Sequence, residues 1–207
     1  MRKIKKFKIP IYTYDILRKA RKRKIDLFSL GLADQESAKE HVASLASALE
    51  PSTVFDLVEP GEEFSAKRGF FRPGQGTLGV ITLGAAFEAR LAAVTDPGLR
   101  SLAETAAVVF AETGLKVVSE LIEQEIAPEG LSLGEPSLIF AEPVLLDDPG
   151  AAPLPEDPEV LPDCLARLSA DKIGVRFDSG RLSPRHTLLF AAPWLAGKKK
   201  KQAPVSK

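Results

Sequence analysis

The chain has 207 residues, 28 Lys/Arg against 28 Asp/Glu, 44% hydrophobic residues and one cysteine. That length fits one sizeable domain or two small ones, and the apolar fraction is ordinary for a globular fold. A lone Cys164 excludes an internal disulfide and a cysteine-held metal cluster, no apolar run reaches membrane-helix length, and no signal-peptide core follows the basic start, so a cytoplasmic location is expected.

Zero net charge conceals segregation. Residues 1–24 carry 11 Lys/Arg and one acid, Asp15, and the tail from Lys198 carries five more Lys. The body between them holds 12 Lys/Arg against 27 Asp/Glu. Arg18, Lys19, Arg21, Lys22, Arg23 and Lys24 form the densest cluster, a candidate patch for an acidic partner. No aromatic or glycine pattern suited to base stacking accompanies it, so neither nucleic acid nor a membrane is an expected partner.

Residues 1–6 read as a basic, disordered start. The alternation Phe7–Ile9–Ile11 predicts a short strand, with Pro10 tolerable only at an edge. Tyr14 to about Lys24 reads as a basic helix. Asp34 caps a second helix, with Val42, Leu45, Ala46 and Leu49 on one face and Pro51 at its end. Val54–Glu59 is a strand, and residues 60–76 form a loop carrying Arg68 and Arg72. Leu78–Leu83 is a continuous apolar run, the mark of a central strand, and Gly84 turns it into a helix with Phe87, Leu91 and Val94 inward.

Asp96–Pro97–Gly98 reads as a turn, and Ser101 with Glu104 as a capping box that opens a long helix reaching about Ile126. Gly114 interrupts that helix, which predicts close approach of another backbone. Pro128 and Gly130 stop it. Seven of the sixteen prolines lie between Pro128 and Pro158, so this stretch is the least regular, with a short strand at Ser137–Phe140 and a loop over 144–155. Asp157–Pro158 opens a last helix that turns Leu161, Cys164, Leu165 and Leu168 inward. Ile173, Val175 and Phe177 then alternate as a strand. Asp178–Ser179–Gly180 supplies a turn, and a second strand resumes after Pro184 to close a hairpin. Helices and strands mixed without strict alternation predict an α+β domain over 7–196 with an antiparallel twisted sheet, followed by a disordered Lys-rich tail at 197–207.

The residues alone reveal no catalytic set. His41 and His186 are the only histidines and have no partner at metal-ligand spacing. Nucleophile-elbow, phosphate-loop and dinucleotide motifs are absent. Arg72–Pro73–Gly74–Gln75–Gly76 reads as a turn before the central strand rather than an anion loop. Glu120, Glu123 and Glu125 read as a solvated acidic face.

Four stretches carry a resemblance. They are Phe7–Ile11 with Asp15–Arg18; Val80–Glu88, which includes Thr82–Leu83–Gly84; the long helix with Gly114 and Glu120; and Ile173–Val175 with Ser179 and Ser183–Pro184. Their order resembles the reactivation domain of cobalamin-dependent methionine synthase and the free-standing bacterial proteins similar to it. The resemblance implies a domain that holds S-adenosylmethionine over a cobalamin carried by a corrinoid protein or methyltransferase partner, with no metal bound directly by this chain. It implies at most a share in a methyltransferase reactivation system, because the cofactor carries the chemistry and the protein supplies position. By the same resemblance Glu120, Glu135, Ser137 and Ser179 would meet the ligand, in a cleft lined by Glu120, residues 134–143 and the hairpin near Ser179. The interval Gly134–Pro143 lacks the Arg and the Gly-Tyr pair of the family's S-adenosylmethionine loop, which leaves open an alternative: the same fold as a ligand-free binding or scaffold protein that docks through its basic N-terminal segment.

Overall fold

The computed structural model describes residues 1–59, 62, 74–142, 145, 160–178 and 180–196. In chain order the elements are β1 (Arg2–Lys5), α1 (Thr13–Lys22), α2 (Gln35–Ala46), β2 (Ser52–Val58), β3 (Gly76–Thr82), α3 (Ala85–Ala92), α4 (Pro97–Ile126), β4 (Leu131–Leu133), β5 (Ser137–Ala141), α5 (Val160–Leu168), β6 (Arg176–Asp178), β7 (Arg181–Ser183) and β8 (Thr187–Ala196). The expected loops at 60–76 and 144–155, the helix start at Asp157, Ser179 and the Lys-rich tail lie wholly or largely outside the described residues.

The main sheet runs β1-β2-β3-β8, and the far edge of β8 carries β5 and β4 in succession. Every pairing among the described residues is antiparallel, which gives the α+β architecture that the mixed element order predicts. Alternation along the strands builds two cores. Phe55, Ile81, Leu188 and Phe190 face one side, where α1 to α4 supply Ile16, Val42, Phe87, Phe110 and Val118. Val54, Leu78, Val80 and Leu189 face the other, where α5 supplies Leu161, Cys164, Leu165 and Leu168. β3 is buried along its whole length because it is covered on both faces, so its sequence reads as an unbroken apolar run. Arg167 ties α5 to the sheet, donating to Glu62 Oε2 at 2.6 Å and to the Leu57 carbonyl at 2.9 Å.

Gly79 sits where the β3 backbone meets the Phe190 ring. A Cβ there would overlap the ring, which is fully buried and has nowhere to swing. Gly79→Ala should therefore cost about 1–3 kcal/mol through overpacking, read as a lower urea midpoint at unchanged m-value.

Several expectations are corrected. The opening strand is Arg2–Lys5, paired with Phe55–Ser52, whereas residues 7–12 are irregular and only Ile9 among Phe7, Ile9 and Ile11 is buried. Of the expected disordered start at residues 1–6, Arg2–Lys5 thus belong to the sheet. The long helix begins at Pro97, because the Asp96 carboxylate accepts the Leu99 N–H at 2.8 Å. Ser101 lies inside the helix and donates to the Pro97 carbonyl at 3.0 Å. Gly114 admits side chains rather than a backbone: a Cβ there would lie 3.3 Å from Ile9 Cδ1. At the C-terminal end, Ala170–Ile173 is a 3-10 turn, and the hairpin is β6 with β7 alone. β8 follows the cis Ser183–Pro184 bond and enters the main sheet beside β3, a central strand and not the hairpin's second arm.

Candidate functional site

α4 leaves a polar stripe facing outward. Lys116, Ser119, Glu120, Glu123 and Gln124 recur at the three- and four-residue spacing that stacks side chains on one helix face. The chain leaves α4 through a 3-10 turn and returns as β4, so Leu133–Pro136 runs alongside that stripe. Between them lies an open groove of about 520 Å³. The Glu123 carboxylate fixes the wall by accepting the Leu133 backbone N–H, and Gly134 donates to the Pro193 carbonyl at 2.7 Å.

Of the four ligand residues implied by the resemblance, Glu120 and Glu135 line this groove together. Ser137 lies beyond its rim and donates to the Ala191 carbonyl at 3.2 Å, a contact that serves the β5–β8 pairing. Ser179 lies outside the described residues. The hairpin does not form a wall of the groove: Leu182 and Val175 pack with α5 on the opposite face of the sheet from the α4 core. Sequence reading missed Lys116 and Ser119 as groove residues, although their helical spacing from Glu120 and Glu123 was available as a signal. The Ser119 hydroxyl is buried with no hydrogen-bond partner among the described residues.

The groove sets three carboxylates against one ammonium, which suits a ligand with an amine or another cationic centre. Among the described residues its lining contains no Arg for a bidentate carboxylate clamp, and Lys116 is its one cation. No group of three or more His, Cys, Asp or Glu placed to hold a metal occurs among the described residues.

A second polar centre lies at the end of the sheet where β3, β8 and α3 meet. His186 is 5% exposed, and neither ring nitrogen has a hydrogen-bond partner among the described residues. Its ring stands edge-on to Phe87 at a centroid distance of 5.4 Å. Burial, then the neighbouring Arg185 guanidinium, pushes its pKa down to about 4. The Arg185 N–H donates to Glu88 Oε2 at 3.0 Å, and its guanidinium lies 4.0 Å from the buried Glu142. His41 is shifted the same way, by burial and then by Arg90. His41 lies on α2 and His186 in the bend before β8, and no metal-holding group among the described residues includes them.

The basic cluster divides. Lys19 is paired with Glu112 at 2.7 Å, Arg23 donates to the Thr105 hydroxyl at 3.3 Å, and Arg18 is paired with Asp15 at 3.0 Å. Arg21, Lys22 and Lys24 are exposed and carry no ion pair among the described residues. The sequence suggested no aromatic surface beside them, but the structure exposes Tyr12, Tyr14 and Phe28 on the same segment. No helix among the described residues is long and apolar enough to cross a membrane.

A scan against models of known protein families and a search of curated proteins both find no match to this chain.

Proposed function

We propose that this protein is an accessory component of corrinoid methyl-transfer systems that holds S-adenosylmethionine, or a ligand of the same amino-acid and sulfonium chemistry, in the α4 groove. The observation that supports this reading most is that Glu120 and Glu135, drawn from a helix and from the segment after it, line one groove with Lys116. A carboxylate beside an ammonium or sulfonium group supplies a charge-assisted contact. In this reading Glu120 takes the ligand's amino group, Lys116 takes its carboxylate in place of the family's Arg, and Glu135 faces the sulfonium. The cobalamin belongs to the partner, a corrinoid protein or methyltransferase, and the part of this chain is to position the methyl donor.

Calorimetric titration with S-adenosylmethionine, alone and with cobalamin present, tests the reading. Saturable binding is expected, weakened about tenfold in Glu120→Ala, the loss of one charge-assisted contact. No heat and no thermal stabilisation at millimolar ligand would refute it.

A second reading is favoured by one observation, the exposed Arg21, Lys22 and Lys24 beside exposed aromatic residues. In it the fold has kept its shape without its ligand and works as a binding or scaffold protein through this basic segment.

A further inference from the structure

Six large apolar residues are exposed among the described residues, and four of them, Ile11, Tyr12, Tyr14 and Phe28, fall within one stretch of 18 positions around α1. Phe28 is 80% exposed and Tyr14 72%. Tyr14, Leu17, Arg21, Leu32, Asp34 and Lys39 are among the residues that line a groove of about 240 Å³ between α1 and the start of α2. We infer that this groove, together with the exposed aromatic residues of the α1 segment, docks an acidic segment of a partner protein, one that carries apolar side chains between its carboxylates. This rests on the second reading above, and it adds the place, the anchors and the chemistry of the partner.

The display of Phe28 is built into the chain. Asp26 Oδ1 accepts the N–H of Phe28 at 3.1 Å and of Ser29 at 3.3 Å, Gly31 donates to the Phe28 carbonyl at 3.0 Å, and Leu32 donates to the Leu27 carbonyl at 2.8 Å. Leu27 and Leu32 are buried on either side, so a closed turn holds the ring between them outward. An aromatic ring on a fixed turn loses little conformational freedom on binding, which suits Phe28 to serve as an interface anchor. The charge on this surface selects the partner. Arg21, Lys22 and Lys24, which carry no ion pair among the described residues, steer an anionic segment toward the groove. Asp15, Asp26, Asp34 and Glu36 are interspersed among them. A phosphate backbone or an anionic lipid surface would meet those carboxylates along its whole track. A polypeptide places its own carboxylates only opposite the cations and its apolar residues opposite Phe28 and Tyr14.

Fluorescence anisotropy with the full chain tests this. The probe is a labelled peptide of Asp and Glu interrupted by Leu and Phe. The comparators are an all-Glu peptide of equal charge, a dT oligonucleotide, and phosphatidylcholine vesicles containing phosphatidylserine. The mixed peptide is expected to bind saturably and about tenfold tighter than the all-Glu peptide, with Phe28→Ser and Arg21→Glu each weakening it by a similar factor. Both positions are on the surface, so thermal unfolding should be unchanged. Binding that is lost in Lys3→Glu but kept in Phe28→Ser would overturn the groove while leaving the basic segment as the docking element. Tighter binding to the oligonucleotide or the vesicles, or no saturable binding to either peptide, would overturn the proposal itself.

Discussion

Phe87→Ala is expected to destabilise the protein by about 3–5 kcal/mol, the range for emptying a buried aromatic site. Phe87 is fully buried on α3 and stands edge-on to two rings at once. Its centroid lies 5.9 Å from Phe110 of α4 at 80° between planes, and 5.4 Å from His186 at 89°. The loss has three parts: the transfer energy of the ring, the cavity left behind, and two edge-to-face contacts of about 0.5–1.5 kcal/mol each. The surroundings cannot collapse readily. Gly84, just before α3, has φ 95°, and a Cβ there would lie 2.9 Å from Glu50 Cβ, so the chain entering α3 is held tightly against the residue preceding Pro51. At this size a loss of that order lowers Tm by roughly 10 °C. Phe87→Leu keeps most of the volume and should lose only about 1–2 kcal/mol, mainly the aromatic contacts. Chemical denaturation of both variants checks this. A drop below about 1 kcal/mol for Phe87→Ala would show that the junction of α3, α4 and β8 is not packed as described.

The parts of the fold that were legible in sequence are those where one residue pattern decides the outcome. β3 reads as an apolar run because both of its faces are covered, and α2 reads from Asp34, whose carboxylate accepts the Ser37 N–H at 2.8 Å. β1 was hidden because an edge strand need bury little: of Arg2–Lys5 only Ile4 is partly covered, and the flanking cations are what an exposed edge favours. The start of α4 was misplaced because two cap signals compete four to five residues apart, and Asp96 with Pro97 at the first helical position captures the role from Ser101. Val175 keeps its inward place although no long strand forms there, because a short hairpin on α5 buries it as well as a strand would. In the candidate site, the helical spacing of Glu120 was visible. Its meeting with Glu135 depends on where the chain after Gly130 runs back along α4, and no local pattern encodes that.

His186 gives the second large effect. Its native pKa is depressed to about 4, against an ordinary value of 6.5 that it regains on unfolding. Between these two values the unfolded chain binds a proton that the folded chain refuses, so stability rises with pH through this window and falls on acidification. The depression corresponds to about 3 kcal/mol, absent above pH 6.5, growing as pH drops toward 4 and constant below it. Asp34 and Glu62 add to the loss at lower pH, because both carboxyls are held below their ordinary values, chiefly by backbone N–H donors at Ser37 and Glu59 respectively. His41, lowered by burial and then by Arg90, adds with the same sign as pH falls below its ordinary value of 6.5. His186→Gln and His186→Phe isolate the one contribution, since the other groups stay in place. The difference in unfolding free energy between pH 7 and pH 4.5 should shrink by about 2–3 kcal/mol in both variants. The chain has two histidines, so their ring C–H resonances report each titration directly by NMR. A His186 midpoint near 6.5 would place the imidazole in contact with water and remove the pH effect. A midpoint near 4 with the free energy difference unchanged in the variants would assign the acid sensitivity to His41 and the carboxylates. The proton is excluded first by burial and then by the Arg185 guanidinium: the imidazole has Phe87 at its edge and no hydrogen-bond partner among the described residues. Phe87→Ala, which removes that ring, should therefore raise the His186 midpoint toward its ordinary value, and this couples the two predictions at a single buried contact.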